Sequence, residues 1–294
     1  MMQKEPQSET AVVTVGLPES GKTTFLAALW HLIFSAERET VLRLKEVRST
    51  GELAHLNAIA ERWRAARQQD RTSITRPRFV DMSLLAKDGT PVRLVFPDIA
   101  GEAYRQIWED RECDHVIGDM LTGGAGILLF IHADMIRFPT WISDNLSALA
   151  HDAEASEDEA ETQPWHPSMA PTQVKIVDLL SVITDGSDQD APPRRLAVMF
   201  SAWDKVEVAE MEPARFLAAK LPLLDQYLRQ NAGRWDVRVY GVSAQGGEYD
   251  AVEVERTDEA RALLNLDSPS ARIRLVHDTR TSHDLTEPVA WLMT

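Results

Sequence analysis

Residues Gly16-Leu17-Pro18-Glu19-Ser20-Gly21-Lys22-Thr23 satisfy the pattern G-x-x-x-x-G-K-[ST] at every position. No other feature restricts the fold as strongly. Such a run works where a buried strand leads into a glycine turn and a helix leads out. Both flanks fit. Ala11–Val15 (AVVTV) is a short, β-branched apolar stretch and reads as a buried strand. From Lys22 to Ala36, Phe25, Leu26, Leu29, Leu32 and Ile33 recur at helical spacing. The glycines let the backbone curl so that successive N–H groups face inward, and the helix aims its positive end at the same point. Gly16, Glu19, Ser20, Gly21, Lys22, Thr23 and Thr24 are therefore candidates to surround a polyphosphate. Lys22 would reach the terminal phosphates and the Thr23 hydroxyl would hold Mg²⁺.

The remaining chain alternates between the two periods. Residues 50–69 predict a helix with Leu53, Leu56, Ile59, Ala60 and Trp63 on one face. Phe79–Leu85 and Val92–Phe96 predict strands joined by Lys87-Asp88-Gly89-Thr90. A turn this short joins only antiparallel strands, because a parallel pair needs a crossover of a dozen or more residues. Further strands are expected over Gly126–His132, Leu196–Phe200, Val237–Val242 and Ala271–Val276. Further helices are expected over 102–121, Trp141–Ala150, Val174–Thr184, Glu212–Asn231 with a break at Pro222, and Glu287–Met293. The pattern predicts an α/β three-layer sandwich, its sheet mostly parallel with one antiparallel strand. We expect one domain over 1–294, with a core of about 11–250. An acidic, proline-bearing insertion (151–173) and a C-terminal extension (251–294) complete it.

Composition narrows the partners. The charge balance is 31 − 46 = −15, which argues against broad contact with nucleic acid or anionic membrane. The single cysteine, Cys113, excludes an internal disulfide and a cysteine-rich metal site, and is expected to be partly buried. The opening MMQKEPQSET carries no apolar stretch of the signal-peptide kind. The longest apolar run, Phe25–Phe34, is interrupted by His31 and falls short of the ~20 residues of a membrane span. A cytoplasmic location without membrane insertion is the expectation. His31, His55 and His132 fall on predicted core elements and are expected to be packed, as are Trp30, Trp63 and Trp108.

Asp98-Ile99-Ala100-Gly101-Glu102 follows the second hairpin strand. An Asp at a strand end beside a phosphate loop is placed to hold Mg²⁺, directly or through water, and Gly101 to offer its N–H to a γ-phosphate. With the loop, the hairpin and two later segments, SAWDKV (201–206) and Ser243-Ala244-Gln245, the chain resembles the translation-factor-like (TRAFAC) class of P-loop GTPases over roughly 11–245. Within it, VVTVGLPESGKTTFLAALWHL, DIAGE and SAWDKV resemble the bacterial double-GTPase families of predicted conflict or defence systems.

The resemblance implies a Ras-like sandwich that binds GTP or GDP with Mg²⁺. It implies that Asp204 accepts from guanine N1–H and the exocyclic amine, a donor pair adenine lacks. Ser201 and Ala202 depart from the usual Asn and Lys of that motif, and Lys205 or Trp203 is left to cover the base. The backbone of Ser243, Ala244 and Gln245 would support guanine O6. A switch threonine, Thr72 or the nearer-to-strand Thr75, would close on Mg²⁺ and γ-phosphate, with Arg71 and Arg76 beside it. Glu102 stands where Ras-like proteins carry the water-positioning Gln. A carboxylate cannot donate to a phosphate, so slow hydrolysis is expected. The resemblance also implies a protein partner, either a second GTPase-like protein or an effector, for a switch. Two other readings stay open on these residues: a nucleotide-binding scaffold that does not hydrolyse, and an ATPase.

Overall fold

The computed structural model describes residues 12–47, 50–69, 78–98, 107–113, 115–123, 126–139, 165–184, 191–206, 211–251 and 254–293. Its centre is the sheet β1-β5-β6-β7-β8-β9. Strands β1 (Val12–Gly16), β5 (Gly126–His132), β6 (Arg194–Ser201) and β7 (Trp235–Ser243) run parallel. Three of these, β1, β5 and β6, are buried along nearly their whole length. They are continuous runs of Val, Ile, Leu and Phe because a parallel strand covered by helices on both faces has no polar side. The far edge turns antiparallel through β8 (Arg274–His277) and β9 (Arg280–Ser282). The antiparallel content thus exceeds the single strand expected.

A second sheet, β2-β3-β4, is wholly antiparallel. It comprises β2 (Leu42–Val47), β3 (Arg78–Ala86) and β4 (Pro91–Asp98). The β3–β4 hairpin pairs Leu85 with Pro91 across the short turn. Strand β4 packs next to β1. The sequence reading missed β2, whose LRLKEV alternates weakly.

Helices α1 (Lys22–Ser35) and α2 (Thr50–Arg64) pack on one another over the β2-β3-β4 side. Trp30 and Trp63 are fully buried there. The opposite face is covered by α3 (His115–Gly123), α4 (Thr172–Thr184), α5 (Pro213–Lys220) and α6 (Pro222–Gln230). Their apolar residues form a second core with β5 and β6. Helix α5 ends at Lys220 and α6 starts at Pro222 because proline cannot continue a helix but suits a first turn.

The expected helix over 102–121 is not continuous. Ile107–Asp110 is helical, Arg111 adopts a left-handed φ of 59°, and α3 begins only at His115. Cys113 lies in that break and is exposed, contrary to the expected partial burial. The expected helix Trp141–Ala150 lies outside the described residues, as does 151–164 of the expected insertion. The stretch 165–173 is instead structured, with a 3-10 turn over Pro167–Met169 and the start of α4.

The C-terminal region is built into the same layers through α7 (Asp258–Leu264), β8, β9 and α8 (Thr286–Met293). Leu292 of α8 rests over Gly126, where a Cβ would come within 2.8 Å of it. Thr286 and Asp284 bind the backbone N–H groups of Leu42 and Val41. No helix among the described residues is long and apolar enough to cross a membrane.

Candidate functional site

The parallel register sets Gly16 beside Phe130, His132 beside Ser201, and Ser201 beside Val242. The C-terminal ends of four parallel strands therefore open onto one cleft, the position where open α/β sheets take ligands. Its walls include Glu19, Ser20, Gly21, Lys22, Thr23, Thr24, Gln69, His132, Asp204, Lys205, Ala244 and Gln245.

The glycine loop is shaped by two left-handed residues, Glu19 (φ 61°) and Gly21 (φ 87°). Gly21 needs to be glycine twice over: a Cβ would also come within 2.8 Å of Ser201 Cβ. It stands at the N-cap of α1 without a side-chain cap, so the first-turn N–H groups face the cleft in the manner of an anion site. The Lys22 ammonium folds back to donate to Gly16 O (2.7 Å), Leu17 O (3.0 Å) and Ser20 Oγ (3.2 Å). Three neutral oxygens thus hold the cation in place at the mouth of the loop. Thr23 lies one residue further, on the cleft.

The segment Ser201-Ala202-Trp203-Asp204 carries its departures in a specific way. Ser201 is buried, and its hydroxyl donates to Ser20 O at 2.9 Å, so it braces the phosphate loop from across the sheet. Ala202 takes a left-handed φ of 51° and starts the 3-10 turn Trp203–Val206. Trp203 does not cover the cleft. It is buried against Phe200 and Phe216, with ring centroids at 6.2 and 5.1 Å. That anchor leaves Asp204 and Lys205 facing the cleft. Asp204 Oδ1 accepts from Ser243 Oγ at 2.5 Å, which joins the two loops. Lys205 Nζ lies 3.9 Å from Glu248 Oε1.

Gly241 makes room for the anchor: a Cβ there would sit 2.5 Å from the Trp203 ring. Gly241→Ala is expected to destabilise the fold by ~2–3 kcal/mol through overpacking, read as a lower urea midpoint with unchanged slope. An unchanged midpoint would show that Trp203 does not depend on this gap.

The loop after β7 is fixed from below. Trp63 Nε1 donates to Ala244 O at 2.8 Å. Buried Arg272 donates to the carbonyls of Trp63, Arg64 and Leu263, and its guanidinium lies 5.4 Å from the Trp63 ring centroid. The guanidinium caps the ends of α2 and α7 together, as cations at helix C-termini do. Gln245 Nε2 donates to Gly247 O at 3.0 Å.

His132 was expected in the core, but it closes β5 at the cleft, half-buried, and Nδ1 has no hydrogen-bond partner among the described residues. Burial pushes its imidazole below the usual range, and burial does the same for His31, whose ring lies tilted against that of Trp63. Both are neutral at pH 7. The unfolded chain takes up protons near 6.5, whereas the folded one takes them up only at lower pH. Stability is therefore lost as pH falls below that value. Melting temperature is expected to drop between about pH 7 and pH 5.5, and His132→Gln to shrink the drop. A drop unaltered by that substitution would remove His132 from the account.

Thr72, Thr75, Arg71, Arg76, Gly101 and Glu102 lie outside the described residues. Asp98 is described by its backbone, which ends β4 opposite Arg78. Sequence reasoning missed Gln69, His132 as a wall of the cleft, and Arg272. The only hint of them was polar side chains beside strongly apolar elements.

The family model described as double-GTPase 1 matches residues 13–292. The chain belongs to the double-GTPase 1 family. No curated protein matches. Among solved structures, this double-GTPase chain is similar to the signal recognition particle receptor SRb-GTP/SRX complex from Chaetomium thermophilum, at 13% identity and TM-score 0.42, covering 88% of this chain and 97% of that one. It is similar to the S. cerevisiae Ski7 GTPase-like domain bound to GTP, at 14% identity and TM-score 0.42, covering 87% and 48%. It is also similar to a bacterial selenocysteine-specific elongation factor, EF-Sec, at 13% identity and TM-score 0.34, covering 82% of this chain and 27% of that one.

Proposed function

We propose that this chain is a GTP-binding switch with slow, Mg²⁺-dependent hydrolysis that signals to a protein partner. The observation that carries the reading is the joining of three recognition elements in one cleft. The glycine loop and Lys22 meet a polyphosphate, Asp204 meets a base with adjacent donors, and the 243–247 loop meets the base's carbonyl edge. Membership of a family of GTPases supports the same assignment. The nucleotide retained by the purified protein tests it, together with competition between GTP and ATP. Retention of ATP, or equal competition, would replace this reading with the ATPase one.

The donors for a magnesium ion fit a hard cation. Thr23 lines the cleft at the start of α1, and its hydroxyl with the carboxylate of Asp98, the last residue of β4, would supply hard oxygen donors. A bound ion would supply charge neutralisation between phosphates. Lys22, the loop amides and the α1 terminus orient the polyphosphate and offset its charge.

Glu102 supports slow turnover. A carboxylate beside a γ-phosphate adds repulsion and offers no donor. Glu102→Gln is expected to raise the single-turnover hydrolysis rate or leave it unchanged. A large fall would make Glu102 a working base. Ala202 and Glu102 also favour a second reading, a scaffold that binds GTP without hydrolysing it. Absence of phosphate release with the partner present would select it. The partner we propose is a second GTPase-like protein or an effector, and the setting a bacterial conflict system.

A further inference from the structure

Gln69 belongs to none of the loops that define the cleft, yet it forms part of the wall. The two residues before it are tied down. Arg67 forms an isolated bridge with Asp250, and Gln68 N donates to Asp250 O at 2.9 Å. Arg67 also donates from Nη1 to Ala251 O and Val254 O, at 2.5 and 2.9 Å. The turn after α2 is thus tied to the chain that follows the 243–247 loop.

The side-chain amide is held one way round. Nε2 donates to Ile59 O at 2.9 Å. Turning the amide over would set two oxygens against each other, so Oε1 is the atom left without a partner. Oε1 is buried, and no described residue donates to it. A desolvated acceptor without a donor is costly, and native proteins keep few of them. Gln69 lines the nucleotide cleft, and an unpartnered acceptor on a wall residue leaves a ligand as its donor. Polyphosphate oxygens at neutral pH accept and do not donate. The donors of a guanine nucleotide are N1–H, the exocyclic amine and the ribose hydroxyls. Asp204 is the carboxylate that serves the first two.

We propose that Gln69 Oε1 accepts a hydrogen bond from a ribose hydroxyl of the bound nucleotide, and so discriminates ribonucleotides from deoxyribonucleotides. The inference rests on the GTP reading above and adds the sugar to it. It also places a nucleoside contact three residues ahead of Thr72, one of the two switch candidates.

The test is calorimetric titration of the full chain with GDP, 2′-deoxy-GDP, 3′-deoxy-GDP and IDP in Mg²⁺. The wild type should bind one of the deoxy nucleotides roughly tenfold more weakly than GDP, the size of one hydrogen bond to a buried acceptor. Gln69→Leu should lose about the same factor for GDP and none for that deoxy nucleotide. Gln69→Met serves where the leucine variant does not fold. Equal wild-type affinity for GDP and both deoxy forms would overturn the proposal without any variant. So would a Gln69→Leu loss shared equally by all four ligands, which marks a structural role, or one that disappears only with IDP, which assigns the acceptor to the base amine. If the wild type binds GDP but Gln69→Leu is silent, this inference alone fails. If the wild type binds no guanine nucleotide, the reading beneath it fails.

Discussion

Lys22→Ala is expected to abolish useful nucleotide binding, lowering affinity for GDP and GTP by ~10²- to 10³-fold, equivalent to ~3–4 kcal/mol. The ammonium already lies within the loop, bonded to Gly16 O, Leu17 O and Ser20 Oγ. A polyphosphate entering the cleft meets a cation that is preplaced and 7% exposed, where little solvent screens it. Replacing neutral oxygens by phosphate oxygens makes both partners of each hydrogen bond charged and so strengthens it. Alanine removes that gain and leaves the loop carbonyls to water. The fold should survive, because β1 and the buried face of α1 do not depend on the ammonium. Circular dichroism should therefore match the wild type while titration shows no binding. Undiminished affinity in a folded Lys22→Ala protein would remove the glycine loop from the binding site.

The parts legible in the sequence are those whose physics is local. The loop, the hairpin over Lys87–Thr90 and the Pro222 break each depend on residues within a few positions of one another, and they stand in the structure where the sequence places them. The parallel strands were legible because burial on both faces leaves continuous apolar runs. The rest depends on contacts between distant positions. Ser201 looks like a weakened motif until its hydroxyl is seen to brace Ser20, 181 positions away. Trp203 reads equally well as a base cover or a core anchor, and only Phe200, Phe216 and the gap at Gly241 decide between them. Gln69 and Arg272 carry no periodic signal, since each acts through carbonyls of other elements. The break in 102–121 follows from a left-handed Arg111, a conformation to which no residue type at that position pointed.

Asp204→Asn is expected to invert the base preference rather than merely weaken it. The hydrogen bond from Ser243 Oγ to Asp204 Oδ1 fixes which oxygen is committed within the protein. Asparagine can keep that bond through its carbonyl, which leaves Nδ2, a donor, at the position of the free carboxylate oxygen. Guanine presents N1–H and an amine there, so donor would face donor. Affinity for GDP should fall by ~10²-fold, about 3 kcal/mol, because a buried polar edge is left unpaired. Xanthosine diphosphate carries a carbonyl where guanine carries the amine, and it should gain affinity in the variant relative to the wild type. Adenosine diphosphate, which lacks both groups, should change little. Competition titrations with the three nucleotides separate these outcomes from general damage, which would depress all of them together. The sign of the xanthosine change is the decisive readout. A gain requires Asp204 to meet the base directly, whereas a structural carboxylate that only tethers Ser243 would produce none.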